Sequence, residues 1–358
     1  MKPRLVVPII VAVSVVPLLV MAVPGAWTSA PERPALTPVE HPVGNPATAA
    51  KVELGRLLFH DPLLSRNSEI ACSTCHDPAH GFADPRGFSI GVTGEQLGRD
   101  TPTAANLAFS GVLFRDGRAG SLEEQALEPL FAENEMGADP SALLAALRNN
   151  DEYTRCFAAA FGSPGVSLVR IARAIAAYER TLLSAHTPYD RWAAGDDTAM
   201  SAQAQRGFVL FQNKADCKEC HPAPLFGSDD VDPVGSVERR PDGSFALSKD
   251  RGLAAVTGRE ENRGAFRSPS LRGLVQTAPY MHNGVFATLA EVVDFYDRGG
   301  APGFGAPAPN LDEHVHPLKL TAEERADLVA FLEALSEKTP LDVLPTSVPS
   351  GLRPGGKR

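Results

Sequence analysis

Apolar residues recur at helical spacing in five stretches, and period-two alternation is nearly absent, so the pattern predicts an all-α chain with long loops. The first stretch starts at Ala49, runs through Leu54, Leu57, Leu58 and Phe59, and ends before Pro62. A second, residues 205–211, reads Gln-Arg-Gly-Phe-Val-Leu-Phe and resembles the first in its glycine and terminal Leu-Phe. Residues 141–149 predict a short helix capped by Ser141. Residues 168–184 predict a longer one, with Ile171, Ile175, Tyr178 and Leu182 on one face. Near the end, Thr321 with Glu324 forms a capping box ahead of Leu328, Phe331, Leu332 and Leu335.

Each of the two similar stretches is followed by a short loop and then Cys-x-x-Cys-His: Cys72, Cys75 and His76 after the first, Cys217, Cys220 and His221 after the second. This is an internal repeat at domain scale. It divides the chain into residues 48–188 and residues 189–340, each with one motif. The last helix, residues 321–337, is free to pack on either part, including the first. Residues 31–47 hold five prolines, which forbids a helix and suggests an extended linker. Residues 341–358 read as a flexible tail.

At 358 residues, 43% apolar and 22% charged, the chain has material for two cores and is not disordered by composition. Its net charge of −9 argues against a nucleic-acid partner and suits a basic protein partner. Lys2 and Arg4 precede an uncharged apolar run over residues 5–23, followed by small residues up to Ala30. Residues 1–30 therefore read as a secretory signal, cleaved or retained as a membrane anchor. Either way the folded part is expected outside the cytoplasmic membrane, in the periplasm.

Four of the five cysteines belong to the local pairs, which favours cofactor attachment over a disulfide framework. The fifth, Cys156, reads as a buried free thiol. Cys-x-x-Cys-His attaches haem c through two thioether bonds, and its histidine supplies an iron ligand. Half of a zinc site is the rival reading, but no further Cys-x-x-Cys stands close to either copy. Two motifs in an exported chain therefore point to two covalently bound haem c groups, in two cytochrome c-like domains.

Further stretches carry a resemblance: residues 54–62 (LGRLLFHDP), 116–119 (DGRA), 121–126 (SLEEQA) and 279–284 (PYMHNG). With the haem motifs they resemble the bacterial di-haem cytochrome c peroxidase and MauG superfamily over residues 48–336. The resemblance implies that the first haem, on His76, meets hydrogen peroxide, with Gln125 and Glu135 facing its open side. A carboxyl there suits the chemistry, because O–O cleavage needs a proton carried from one peroxide oxygen to the other. Where many of these peroxidases hold a blocking histidine, this chain has Val92, so the first iron is expected to be open. Tyr296 matches the other ligand of the second haem, on His221, with Met281 and His282 as rivals. The side chain of Asp100 and the carbonyls of Thr277 and Pro279 match a calcium site. The departure is Arg115, which stands where the relatives place a tryptophan between the haems, and a guanidinium is no oxidisable relay.

The leading expectation is a periplasmic di-haem peroxidase that reduces hydrogen peroxide with electrons from a small c-type cytochrome or a cupredoxin. A MauG-like oxidase acting on aromatic residues of a partner protein, and a non-catalytic di-haem electron carrier, are the alternatives.

Overall fold

The computed structural model describes residues 32–357, so the expected signal segment lies outside the described residues. Residues 32–48 contain no helix, as their prolines require. Helix α1 (Ala49–His60) starts where Thr48 accepts a hydrogen bond from the Lys51 amide and stops two residues before Pro62. Short α2 (Cys72–Cys75) carries the first cysteine pair, and α3 (Leu122–Gln125) and α4 (Glu128–Phe131) are single turns. Helix α5 (Pro140–Arg148) is capped by Asp139 rather than by the expected Ser141. Pro140 sits at its first position, where the missing N–H costs nothing, so the carboxylate just before it takes the cap.

Helix α6 (Asp151–Phe161) ends at Gly162 in the left-handed region, and α7 (Leu168–Glu179) is capped by Ser167. α7 is shorter than its apolar pattern predicts. Beyond Glu179 the amides of Thr181 and Leu182 bond three residues back, so Leu182 is buried from a turn. There follow α8 (Pro188–Ala193), α9 (Ala202–Gln212), short α10 (Ala254–Thr257), α11 (Leu289–Asp297) and α12 (Ala322–Ala334). The capping box of Thr321 and Glu324 is present on α12 as expected. β structure is as scarce as the near absence of alternation predicts: β1 (Val231–Asp232) pairs antiparallel with β4 (Phe266–Arg267), and β2 (Val237–Arg239) with β3 (Phe245–Leu247). The described chain is mainly helical.

Two large apolar clusters hold these elements. The first joins Leu58 and Phe59 of α1 to Leu147, Phe157, Ile171 and Ile175. The second joins Trp192, Phe208, Phe211, Phe226, Leu328 and Phe331. The helix pair at the centre of each is pressed backbone to backbone at a glycine. A Cβ on Gly55 of α1 would lie 1.9 Å from the Ala174 carbonyl oxygen of α7, and one on Gly207 of α9 would lie 1.9 Å from that of Asp327 in α12. The last helix therefore contributes Leu328, Phe331 and Leu332 to the second cluster.

The segment after it is not a free tail. Asp342 accepts hydrogen bonds from Tyr178 and Arg56, both at 2.8 Å. Ser350 donates to Asp61 at 2.7 Å, and the Gly355 carbonyl accepts from Thr74 at 2.7 Å. Gly356 lies so close to the Glu69 carbonyl that a Cβ would fall 2.1 Å from it. These polar hooks and side-chain-free glycines fasten the end of the chain to the first cysteine turn. Cys156 is half-buried at the edge of the first cluster rather than enclosed by it, because its face of α6 borders solvent. No helix among the described residues is long and apolar enough to cross a membrane.

Candidate active site

The first cavity lies against Cys72, Cys75 and His76. His76 caps α2, and its Nδ1 lies 3.1 Å from the carbonyl oxygen of Phe82. That carbonyl calls for a proton on Nδ1 and leaves the lone pair on Nε2, the arrangement a metal-binding imidazole needs. Gln125, Pro129, Glu135 and Met136 line the same cavity. The two expected site residues are thus brought together with His76 although they come from separate turns.

Glu135 is held by backbone. Its carbonyl accepts from the Val92 amide at 2.7 Å, and the loops meet at Gly91, where a Cβ would fall 1.6 Å from the Asn134 oxygen. Burial pushes the Glu135 carboxyl above its ordinary range, Arg118 pulls it back, and Glu128 adds to the rise. Glu133, two residues earlier, is exposed. Of the two loop glutamates only Glu135 can therefore serve the cavity.

Sequence reasoning missed Glu179, the last residue of α7. It lines this cavity and is 5% exposed, and its Oε2 has no hydrogen-bond partner among the described residues. Burial pushes its carboxyl up to about 8, against the pull of Arg180. Its position was a usable signal: it falls four residues after Ile175, on the apolar face of the helix.

The second cavity lies against Cys217, Cys220 and His221. Here Nδ1 is 3.2 Å from the Phe226 oxygen and 3.1 Å from that of Pro269, so the same tautomer is favoured. Tyr296, Met281 and His282 all line it. Tyr296, near the end of α11, is half-buried in the wall of this cavity. His282 is held by one ring nitrogen, while its Nδ1 is buried without a hydrogen-bond partner. Its Nε2 lies 3.1 Å from the Ser248 hydroxyl, and its ring stacks on Phe266 at 4.0 Å between centroids. Both cavities, each combining two thiols, an imidazole with a lone pair on Nε2 and an apolar lining, fit a haem c.

Asp100, Arg115 and Arg267 line both cavities and so form part of the wall between them. Arg115 donates to Asp100 Oδ2 at 2.5 Å, while Oδ1 is buried without a partner. Thr277 and Pro279 line the second cavity alongside Asp100. An orphaned carboxylate oxygen suits a hard cation, but no cluster of three acidic, His or Cys side chains forms a metal site among the described residues. Arg267 is a second residue that sequence reasoning did not single out.

Comparison with known proteins agrees with this geometry. The sequence profile described as "Di-haem cytochrome c peroxidase" matches residues 49–198. The chain is 40% identical to the cytochrome-c peroxidase IdrP1 of Pseudomonas sp. (strain SCT) over 352 residues, which cover 90% of this chain and 91% of that protein. It belongs to the di-haem cytochrome c peroxidase family. Within that family it is also 39% identical to the methylamine utilization protein MauG of Methylorubrum extorquens, over 86% of this chain and 84% of that one. A solved MauG-like protein associated with microbial copper homeostasis superposes with a TM-score of 0.76 at 33% identity, covering 88% of this chain and 97% of that one. Membership implies two haem c groups, which the two cavities are built to receive.

Proposed function

We propose that the chain is a periplasmic peroxidase that reduces hydrogen peroxide to water in the first cavity, with electrons entering through the second. The observation that carries this reading is the convergence of Gln125 and Glu135 on the cavity of His76. When bound, the haem iron supplies the redox chemistry that breaks the O–O bond. Glu135 does the proton work: it takes the proton from one peroxide oxygen and returns it to the other, and its raised affinity for protons keeps it poised for both steps. The Gln125 amide orients the peroxide by hydrogen bonding. Each peroxide takes up two electrons and two protons and yields two waters.

His76 and His221 hold the two irons in two cytochrome c-like domains, residues 48–188 and 189–340. Val92 carries no ligand atom, so the first site stays open to peroxide. Tyr296 would be the other ligand at the second, supported by its place on the wall of that cavity. Asp100 with the carbonyls of Thr277 and Pro279 takes a calcium ion. The electron donor is a small c-type cytochrome or a cupredoxin.

Mixing the purified protein with peroxide and a reduced small cytochrome c tests the reading. Rapid donor oxidation, with a high-spin ferric signal in the resting protein, is expected; absence of turnover with any donor, or two low-spin signals, overturns it. Tyr296 also favours a second reading, an oxidase acting on aromatic side chains of a partner protein, since an anionic phenolate steadies higher oxidation states. A partner protein whose mass changes on treatment with peroxide would select that reading.

A further inference from the structure

The arginines around the wall between the cavities differ in how well their charge is balanced. Arg99 is held by two carboxylates, Asp250 at 2.6 Å and Asp116 at 2.6 Å. Arg118 likewise has Asp116 at 2.8 Å and Glu128 at 2.9 Å. Arg115 has one, Asp100. Arg267 has none within ion-pair distance: its Nη1 donates to the Ser110 hydroxyl at 3.2 Å, and its Nε is buried without a partner. The carboxylate nearest in effect, Asp229, is already engaged by the amides of Gly111 and Val112.

Backbone pairing holds the two under-balanced residues next to each other. The Arg267 amide, in β4, donates to the Arg115 carbonyl at 2.8 Å. Arg267 is 8% exposed, and both residues line both cavities. Two adjacent cations with one carboxylate between them leave an excess positive charge in a desolvated wall, an arrangement that persists only if an anion completes it. A guanidinium fork with unused donors selects a carboxylate. A haem c brings two such groups, its propionates, on the edge away from its thioether bonds.

We propose that Arg115 and Arg267 form a paired guanidinium site that takes propionate carboxylates from both haems across the wall between the cavities. The inference rests on the two-haem reading. It gives Arg115 a task of its own: where relatives carry an aromatic ring between the haems, this chain couples them through shared charge. Fixed positive charge beside both haems favours the reduced state of each. The redox potentials of the two irons then respond together to a change at either arginine.

The test is spectroelectrochemical titration of both haems in the holoprotein and in Arg267→Gln, Arg115→Gln and the charge-conserving Arg267→Lys, with haem content counted first. Two haems per chain with both potentials lowered in Arg267→Gln are expected. The drop should equal at least a tenfold change in the reduced-to-oxidised ratio, about 59 mV for one electron. Arg267→Lys should retain most of the wild-type value. Two haems with unchanged potentials, or a shift confined to one haem, overturn the paired site while leaving the two-haem reading intact. A haem count below two in the wild type overturns both. If Arg267→Gln fails to mature, Arg115→Gln decides by the same criterion, and a change in melting temperature alone counts against the proposal.

Discussion

The two halves of the molecule share one frame and differ in what they place inside it. In each, a glycine lets two helices touch through their backbones, Gly55 against α7 and Gly207 against α12. Each also has a histidine after two cysteines whose Nδ1 faces backbone carbonyls. The linings then diverge. Beyond the shared Asp100, the first cavity gathers Gln125, Glu135 and Glu179, whereas the second offers Tyr296, Met281, His282 and the ion pair of Asp216 with His314. A repeated frame therefore supplies attachment, and the loops inserted between its helices supply the chemistry. Glutamates line the first cavity alone, as expected if only that cavity processes a substrate that must gain protons.

The largest effect should come from removing that asymmetry. Glu135→Gln keeps the shape of the side chain and removes the proton carrier, so kcat/KM for peroxide should fall by roughly 10²–10⁴-fold, with the second haem's spectrum unchanged. Because the folded protein raises the carboxyl's proton affinity, the acid limb of the wild-type pH–rate profile should lie above the ordinary carboxylate range and vanish in the variant. Retention of wild-type kcat/KM would place the reaction elsewhere.

The shared frame makes the next prediction. A methyl group at Gly55 or Gly207 meets a carbonyl oxygen at the same 1.9 Å, so each alanine variant must push two helices apart. Overpacking of this kind costs on the order of 1–3 kcal/mol or more. Chemical denaturation of the holoprotein should show losses of similar size for the two variants. A large loss at one site and none at the other would mean that the two helix pairs are not equivalent.

How far these features could be read from the chain depended on how local their causes are. Helix α1, the capping box on α12 and both histidine sites are set by residues within a few positions of one another, and pattern alone found them. Gln125 and Glu135 were found only through family resemblance, because the loop that carries Glu135 is held by a long-range contact, the approach of Gly91 to Asn134. The closing segment was misjudged as flexible because its partners, Asp61, Thr74 and Tyr178, lie far away in sequence. Glu179 and Arg267 were passed over because charged residues are usually solvated, and only the cavity shows that these two are not.

Glu179 gives the third prediction, and its sign follows from where the proton is held. The unfolded chain releases it near the ordinary 4.5, whereas the folded protein keeps it up to about 8. Between those values the folded state binds more protons, so stability falls as pH rises, by up to about 1.36 kcal/mol per pH unit, and levels off above 8. Glu179→Gln removes that slope. Its melting temperature should exceed the wild type's at pH 9, with the gap closing near pH 5. A gap of equal size at both values would show that the glutamate is not buried as an acid.

The smallest effect should come from calcium, and the reason lies in the wall between the halves. A cation at Asp100 would meet a carboxylate whose other oxygen already accepts from Arg115 at 2.5 Å. Much of the charge that would attract the ion is thus already compensated, and the other proposed ligands, the carbonyls of Thr277 and Pro279, are neutral. Ligand linkage then allows only a modest contribution, so chelation should cost the wild type at most about 1 kcal/mol, roughly 2–4 °C in melting temperature. Arg115→Gln releases the Asp100 carboxylate to the ion, so chelation should cost that variant more than it costs the wild type. Equal insensitivity in both proteins would remove calcium from Asp100, and a large loss in the wild type would mean that the guanidinium does not compete for the carboxylate.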